Sequence, residues 1–94
     1  MKHYIIVKFN DQVSDKVGIV EDIIKLFDEA KKIDGITSVE VHVSNMDLPN
    51  RHDLMIWMDL TPEALKTFDN SEIHKQWKSQ YGRYILNKTI FDCD

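Results

Sequence analysis

Two segments of the chain have the composition of β-strands, and each carries apolar residues on both of its faces. The first runs from Lys2 to Phe9 and reads K-H-Y-I-I-V-K-F. The second runs from His52 to Leu60, with leucine, isoleucine and methionine on one face and Met55 and Trp57 on the other. A half-exposed strand alternates apolar with polar residues. These two segments therefore predict central strands that are covered on both faces.

The rest of the chain alternates between helix and strand signals. Residues 14–32 carry apolar residues at helical spacing and predict a helix. Residues 37–43 alternate valine with polar residues, as a half-exposed or edge strand does. Thr61-Pro62-Glu63 is a typical helix start, and Ser71 is a candidate cap for a further helical segment. Residues 84–91 are rich in β-branched and aromatic residues and predict the last strand.

The resulting order, β-α-β-β-α-β, is the ferredoxin-like pattern, so we predict an α+β fold. Right-handed crossovers place both helical regions on one face of a four-stranded antiparallel sheet. A chain of 94 residues has room for only one hydrophobic core, so residues 1–94 are expected to form a single domain.

The predicted sheet leaves one face of its central strands uncovered in a monomer. Tyr4, Ile6, Met55 and Trp57 fall on that face. At about 25 cal/mol per Å² of apolar surface, leaving these side chains in water would forgo several kcal/mol, and a small domain has little stability in reserve. We therefore predict a homodimer in which two such sheets pack face to face.

The charge of the chain excludes some classes of partner. Its formal net charge is −4, whereas a nucleic-acid-binding domain usually presents a basic face. Acidic and basic residues are interleaved, so we expect no membrane-surface patch, and no apolar run approaches the roughly 18 residues of a membrane span. The N-terminal residues lack a signal-peptide pattern, which predicts a cytoplasmic location. Cys93 cannot pair within the chain and is expected to be an exposed, inert thiol.

Short motifs follow one another along the chain with a characteristic order and spacing. They are His3-Tyr4-Ile5-Ile6-Val7-Lys8-Phe9, Ile33-Asp34-Gly35-Ile36, Ser44-Asn45, His52-Asp53-Leu54, Glu63-Ala64-Leu65, Ser71-Glu72-Ile73-His74 and Phe91-Asp92. In this order they resemble the stress-responsive dimeric α+β barrel family, known as Dabb. The resemblance covers nearly the whole chain. It implies a homodimer whose two sheets form a joint barrel around a central cavity.

The resemblance also implies candidate site residues. Many Dabb members have no assigned activity, and one branch consists of polyketide cyclases that run an aldol condensation in the barrel with histidine and tyrosine. His3 and His74 match two of the cyclase histidines. Phe68 stands where the cyclase has a tyrosine, while Leu26 and Leu54 fall at its other tyrosine and histidine positions. Without a phenol at position 68, an enolate would lack a hydrogen-bond partner.

His74 is the leading candidate for a catalytic residue, and His3 is the second. If Ser71 caps the helix, His74 is its third residue, where the partial positive charge of the helix N-terminus disfavours imidazolium. A neutral ring can act as a base or as a hydrogen-bond partner. The competing interpretations are structural. In them, His74 packs against Trp77, and His3 is a strand-end histidine with a satisfied ring.

Five aromatic side chains are candidates to line a pocket for a small apolar or aromatic ligand: Tyr4, Trp57, Phe68, Trp77 and Tyr81. Aromatic residues at strand or helix spacing also pack in ordinary cores, and that interpretation competes. The 4 histidines do not stand at metal-ligand spacing, and no dinucleotide- or phosphate-binding motif is present. The sequence therefore predicts neither a metal nor a cofactor.

Two functions follow from these observations. The first is an uncharacterised stress-responsive barrel protein, homodimeric, that binds a small apolar or aromatic molecule in its cavity. The second is a small enzyme acting within the barrel, either a cyclase-like aldol catalyst or a cofactor-free monooxygenase, that uses His74. An acid–base enzyme sets at least two titratable groups into one cavity, and only His3 and His74 are candidates for this. The sequence therefore favours the first function.

Overall fold

A computed structural model describes all 94 residues, and its elements follow the expected order. The strands are β1 (Lys2–Phe9), β2 (Ile36–Val43), β3 (Leu54–Leu60) and β4 (Ile85–Cys93). The helices are α1 (Lys16–Asp28), α2 (Pro62–Asp69) and α3 (Glu72–Gln76). A 3₁₀ turn (Glu29–Lys32) follows α1, while a π-helical segment (Trp77–Tyr81) and a second 3₁₀ turn (Gly82–Tyr84) follow α3.

The four strands form one antiparallel sheet in the order β2-β3-β1-β4. The two doubly apolar segments, β1 and β3, occupy its centre, as the sequence predicted. Their side chains alternate between fully buried and half-buried along the whole of both strands. The helices cover one face of this sheet, which confirms the ferredoxin-like α+β fold.

The core lies between the sheet and the helices. It is built from alternate residues of the central strands and from one side of α1 and α2, together with Ala30 of the first 3₁₀ turn and Trp77 of the π-helical segment. Its largest fully buried side chains are Trp77, Phe27, Phe68, Ile23, Leu54, Ile56, Met58 and Val7. The other face of the sheet carries no helix. We call it the open face, and it presents Tyr4, Trp57, Phe91, Ile6 and Met55.

Each helix begins directly after a candidate cap, which in the sequence is Ser14 or Asp15 for α1, Thr61 for α2 and Ser71 for α3. The Asp15 carboxylate accepts a hydrogen bond from the Gly18 N–H at 3.0 Å and caps α1. The Thr61 hydroxyl accepts from the Ala64 N–H at 3.1 Å, with Pro62 in the first turn of α2. Ser71 Oγ accepts from the His74 N–H at 3.3 Å. Side-chain oxygens at these positions satisfy N–H groups that the first helical turn leaves unpaired.

A partly buried aspartate joins three parts of the fold. Asp53, just before β3, accepts hydrogen bonds from the Phe9 N–H and from Lys16 Nζ, both at 2.8 Å. Burial alone would raise the pKa of this carboxyl, but the bonds from Lys16 and Phe9 outweigh burial and hold it below its ordinary value. The aspartate therefore fixes the start of α1 against the end of β1.

The segment after α3 differs from the sequence prediction. Ile73, Trp77 and Tyr81 stand four residues apart and predicted one continuous α-helical stripe. The structure ends α3 at Gln76 and continues as a π-helical segment, in which each turn holds one more residue. Trp77 is buried there, whereas Ile73 and Tyr81 are only partly buried.

None of the helices has both the length and the apolar character needed to span a lipid bilayer.

Candidate functional site

His3 lies on the helix-covered face of β1 and is 6% exposed. The strand register sets it opposite Asp92 of β4, and its Nδ1 is 2.5 Å from Asp92 Oδ1. A carboxylate in this position accepts a hydrogen bond from Nδ1, and in the neutral form of such a ring Nε2 is the nitrogen without a proton. Nε2 forms no hydrogen bond within the chain. The pair is a carboxylate-oriented imidazole with one free nitrogen.

His74 is partly buried in the first turn of α3. Its ring packs edge-on against Phe68, with the ring centres 5.4 Å apart, and its Nε2 is 4.0 Å from Asp69 Oδ1. Burial lowers the pKa of His74; Asp69 opposes this effect, while Lys78 and Lys88 add to it. The sequence predicted a neutral ring held by the helix N-terminus. The pKa of His74 is lowered, as the prediction requires, but the causes of the shift are burial and two lysines.

Phe68 occupies the position that the resemblance assigns to a tyrosine. It is buried at the end of α2 and contacts both Phe27 and His74, with its ring centre 5.9 Å from that of Phe27. The spacing of six residues between Phe68 and His74 thus brings the two rings into direct contact. The neighbour of the imidazole is apolar, so it cannot donate a hydrogen bond to a substrate oxygen.

The sheet separates the aromatic residues proposed as ligand contacts. Tyr4 and Trp57 lie on the open face, where their rings stack with centres 6.4 Å apart. Phe68 and Trp77 lie in the core on the other side, where Trp77 packs edge-on against Phe27 at 5.1 Å. The structure therefore brings His74 together with Phe68, but it places Tyr4 and Trp57 on the opposite face of the sheet from both histidines.

Two residues of these clusters were not expected from the sequence. Phe91 of β4 joins Tyr4 on the open face, with the ring centres 6.3 Å apart, and Asp92 orients His3. Both depend on the register between β1 and β4. The alternation of side chains along a strand could have given part of this result, since neighbouring residues in a strand point to opposite faces. His3 and Tyr4 therefore could not face the same side.

Tyr81 lines the largest of the three main clefts, which has a volume of about 600 Å³. This cleft, called the α1 cleft below, lies between the start of α1 and the π-helical segment. Burial raises the pKa of the Tyr81 hydroxyl, and the negative charge of Asp22 adds to the effect. Two smaller clefts measure about 280 and 250 Å³, and neither His3 nor His74 lines any of the three.

The acidic, histidine and cysteine side chains are dispersed over the fold. No group of three or more of them is placed so that it could hold a metal ion. The reactive groups that the candidate site offers are its imidazoles and carboxylates.

No protein-family model and no curated protein matches the chain, whereas many solved structures share its fold. A dimeric ferredoxin-like protein of unknown function from Thermobifida fusca has a TM-score of 0.80 at 13% identity, covering 96% of this chain and 85% of that one. A Dabb family protein from Mesorhizobium loti has a TM-score of 0.66 at 13% identity, covering 99% and 93%. A hydroxynitrile lyase from Passiflora edulis has a TM-score of 0.75 at 9% identity, covering 96% and 87%.

At identities this low, the comparisons establish the fold and not the reaction. The matched proteins include one of unknown function, one named only for its family and one enzyme. The function of this chain has to be argued from its own side chains.

Proposed function

We propose that residues 1–94 form a Dabb-type homodimer that packs two sheets through their open faces and binds a small apolar or aromatic molecule between them. The observation that carries this proposal is the open face itself. A stress-linked, cytoplasmic role is the part of the proposal that rests on the sequence alone.

The centre of the open face is apolar and aromatic. The rings of Trp57, Tyr4 and Phe91 form one row across β3, β1 and β4. Ile6 and Met55, which pair across β1 and β3, form the next row. Phe91 is 58% exposed in the monomer. Covering these rows with a second copy would gain about 25 cal/mol for each Å² of apolar surface removed from water.

Charged residues surround this apolar centre. Lys2 Nζ lies 3.2 Å from Asp59 Oδ2 and 4.7 Å from the centre of the Trp57 ring. At the β2 edge, His42 Nε2 lies 3.3 Å from Glu40 Oε1. An apolar centre with a polar rim is the usual composition of a protein interface. The Thermobifida fusca protein, which shares the fold, is described as dimeric, and this supports a homodimer.

Aromatic rows that face each other across a two-fold axis also suit a ligand. Tyrosine and tryptophan offer large apolar faces together with polar atoms that hydrogen-bond. The Trp57 Nε1 is buried yet has no hydrogen-bond partner within the chain. Because this nitrogen is already enclosed within the monomer, support for binding at this face comes from the aromatic rings themselves.

The test of the assembly compares two substitutions of exposed apolar residues. Phe91→Lys puts a charge into the proposed interface, whereas Val17→Lys puts one on the outer side of α1, where the native side chain is 71% exposed. We expect Phe91→Lys to raise the dimer dissociation constant by at least about tenfold and Val17→Lys to leave it unchanged. Sedimentation equilibrium measures both, and equal behaviour of the two variants would contradict the proposal.

A second candidate function is acid–base catalysis, and the His3–Asp92 pair favours it. The free Nε2 of His3 can accept a proton, and the carboxylate fixes the ring that carries it. The apolar Phe68 beside His74 argues against the cyclase version of this chemistry. Solvent deuterium incorporation next to the carbonyl of small ketones, lost in His3→Asn, would favour catalysis, whereas no incorporation by the wild type would leave the binding role.

A further inference from the structure

The α1 cleft is a concave site that neither the dimer interface nor the two histidines use. It lies on the helix-covered side of one protomer, so it does not depend on assembly through the open face. Its volume of about 600 Å³ falls within the usual range of small-molecule pockets. The π-helical segment that forms one of its walls is a rare element that often marks functional sites.

One wall of the α1 cleft is one side of α1. Asp15, Gly18, Ile19 and Asp22 line it, and their spacing of three or four residues places them on the same side of the helix. A Cβ at Gly18 would lie 2.3 Å from the Asp15 carboxylate, so glycine at this position lets the cap approach the helix closely. The facing wall carries Tyr81, whose ring is held against the buried Trp77 with ring centres 6.0 Å apart.

The carboxylates of the first wall differ in what they bind. The Asp15 carboxylate caps α1 by accepting a hydrogen bond from the Gly18 N–H. Asp22 forms no ion pair with any lysine, arginine or histidine of the chain, although its charge acts on the Tyr81 hydroxyl across the cleft. An unpaired carboxylate beside an aromatic ring is a favourable place for a cation.

The cleft already contains one contact between a cation and an aromatic ring. The guanidinium of Arg83 lies over the ring of Tyr84, 4.8 Å from its centre, at one end of the cleft. Neither Arg83 nor Asp22 takes part in a salt bridge. Two carboxylates and one arginine leave the lining with a net negative charge, which disfavours an anionic ligand.

We propose that the α1 cleft binds a small organic ammonium ion with a flat apolar body. The ammonium group lies between the Asp22 carboxylate and the ring of Tyr81. The apolar body packs against Val13, Ile19 and Tyr84. A metal ion does not fit this role, because the chain has no group of three or more acidic, histidine or cysteine side chains that could hold one.

The experiment titrates the wild-type protein with 2-phenylethylammonium and follows backbone amide signals by NMR. Its matched neutral control is 2-phenylethanol, which has a similar body and no charge. We expect saturable shifts at Gly18, Asp22 and residues 79–83 with the ammonium ion, and much weaker shifts with the alcohol. Equal binding of the two compounds, or no saturable shifts at millimolar concentration, would overturn the proposal.

Two variants then test the contact itself. Asp22→Asn keeps the shape of the side chain and removes its charge, and Glu21→Gln makes the matching change at the neighbouring exposed acid, which does not line the cleft. We expect Asp22→Asn to weaken 2-phenylethylammonium binding by about fivefold to tenfold and Glu21→Gln to leave it unchanged. An equal loss in both variants would show only the general attraction of an acidic surface and would overturn the assignment to Asp22.

Discussion

At the scale of single residues, the chemistry of the chain depends on what surrounds each imidazole. His3 is oriented by a carboxylate, whereas His74 rests on the apolar ring of Phe68. The sequence pointed to both histidines as candidates, and the family resemblance pointed to the missing phenol at position 68; their role in a site stays a prediction. The sequence could not identify Asp92, because that contact requires the register of two strands separated by most of the chain.

The environment of His74 makes a prediction about pH. Its pKa is lowered in the folded protein, mainly by burial, so the unfolded chain binds a proton there more readily than the folded one. The stability that this histidine contributes is therefore present above its unfolded pKa of about 6.5 and is lost as the pH falls through its lower folded value. We expect the NMR titration midpoint of the His74 ring to lie below that of an unfolded peptide.

His74→Gln provides the control for this prediction. The variant should lose less stability than the wild type when urea unfolding is compared between neutral and mildly acidic pH, because glutamine does not titrate. An identical loss in the two proteins, together with an ordinary titration midpoint for His74, would contradict a lowered pKa for this partly buried ring.

At the scale of elements, the periodicity of apolar residues predicted the regular strands and helices and missed the π-helical segment. The bounds of β1 and the starts of α1 and α2 agree with expectation, because alternation and cap residues are local signals. The sequence extended β3 back to His52 and began β4 at Tyr84, whereas the strands begin at Leu54 and Ile85. The π-helical segment after Gln76 also went unpredicted, since the four-residue spacing of its apolar residues fits an α-helix equally well.

The turn before β2 gives a prediction about backbone conformation. Gly35 has a φ of 94°, and a Cβ there would lie 2.8 Å from Thr61 Oγ1 and 2.9 Å from the Cβ of Ala64. We expect Gly35→Ala to destabilise the protein by about 1–3 kcal/mol, because alanine is strained at positive φ. Urea unfolding at neutral pH measures the change.

Gly82 is the matched control for Gly35. Its φ is −54°, and no atom lies within 4 Å of the position that a Cβ would occupy, so alanine fits there without strain. Gly82→Ala should be neutral or stabilise the protein by up to about 1 kcal/mol through the unfolded state. Equal destabilisation by both substitutions would show that the conformation at Gly35 is not the cause.

At the scale of the whole molecule, the two faces of one sheet carry different sets of side chains. The helix-covered face holds the core, His3 and His74, whereas the open face holds the aromatic row of Tyr4, Trp57 and Phe91. Doubly apolar strands are visible in the sequence, so the need to cover the second face was predictable. The grouping of the five candidate aromatics into one pocket was not supported. Strand parity places Tyr4 and Trp57 on the open face, whereas Phe68, Trp77 and Tyr81 lie in helical segments on the other side of the sheet.

The central claim is that a second copy of the chain covers the open face. Its most direct test is an isotope-filtered NOE measurement on a mixed sample, in which labelled and unlabelled chains have been unfolded together and refolded. We predict a species of twice 11.1 kDa with intermolecular NOEs to the rings of Tyr4, Trp57 and Phe91. A folded monomer of 11.1 kDa at micromolar concentration, or intermolecular NOEs confined to the helices, would contradict it.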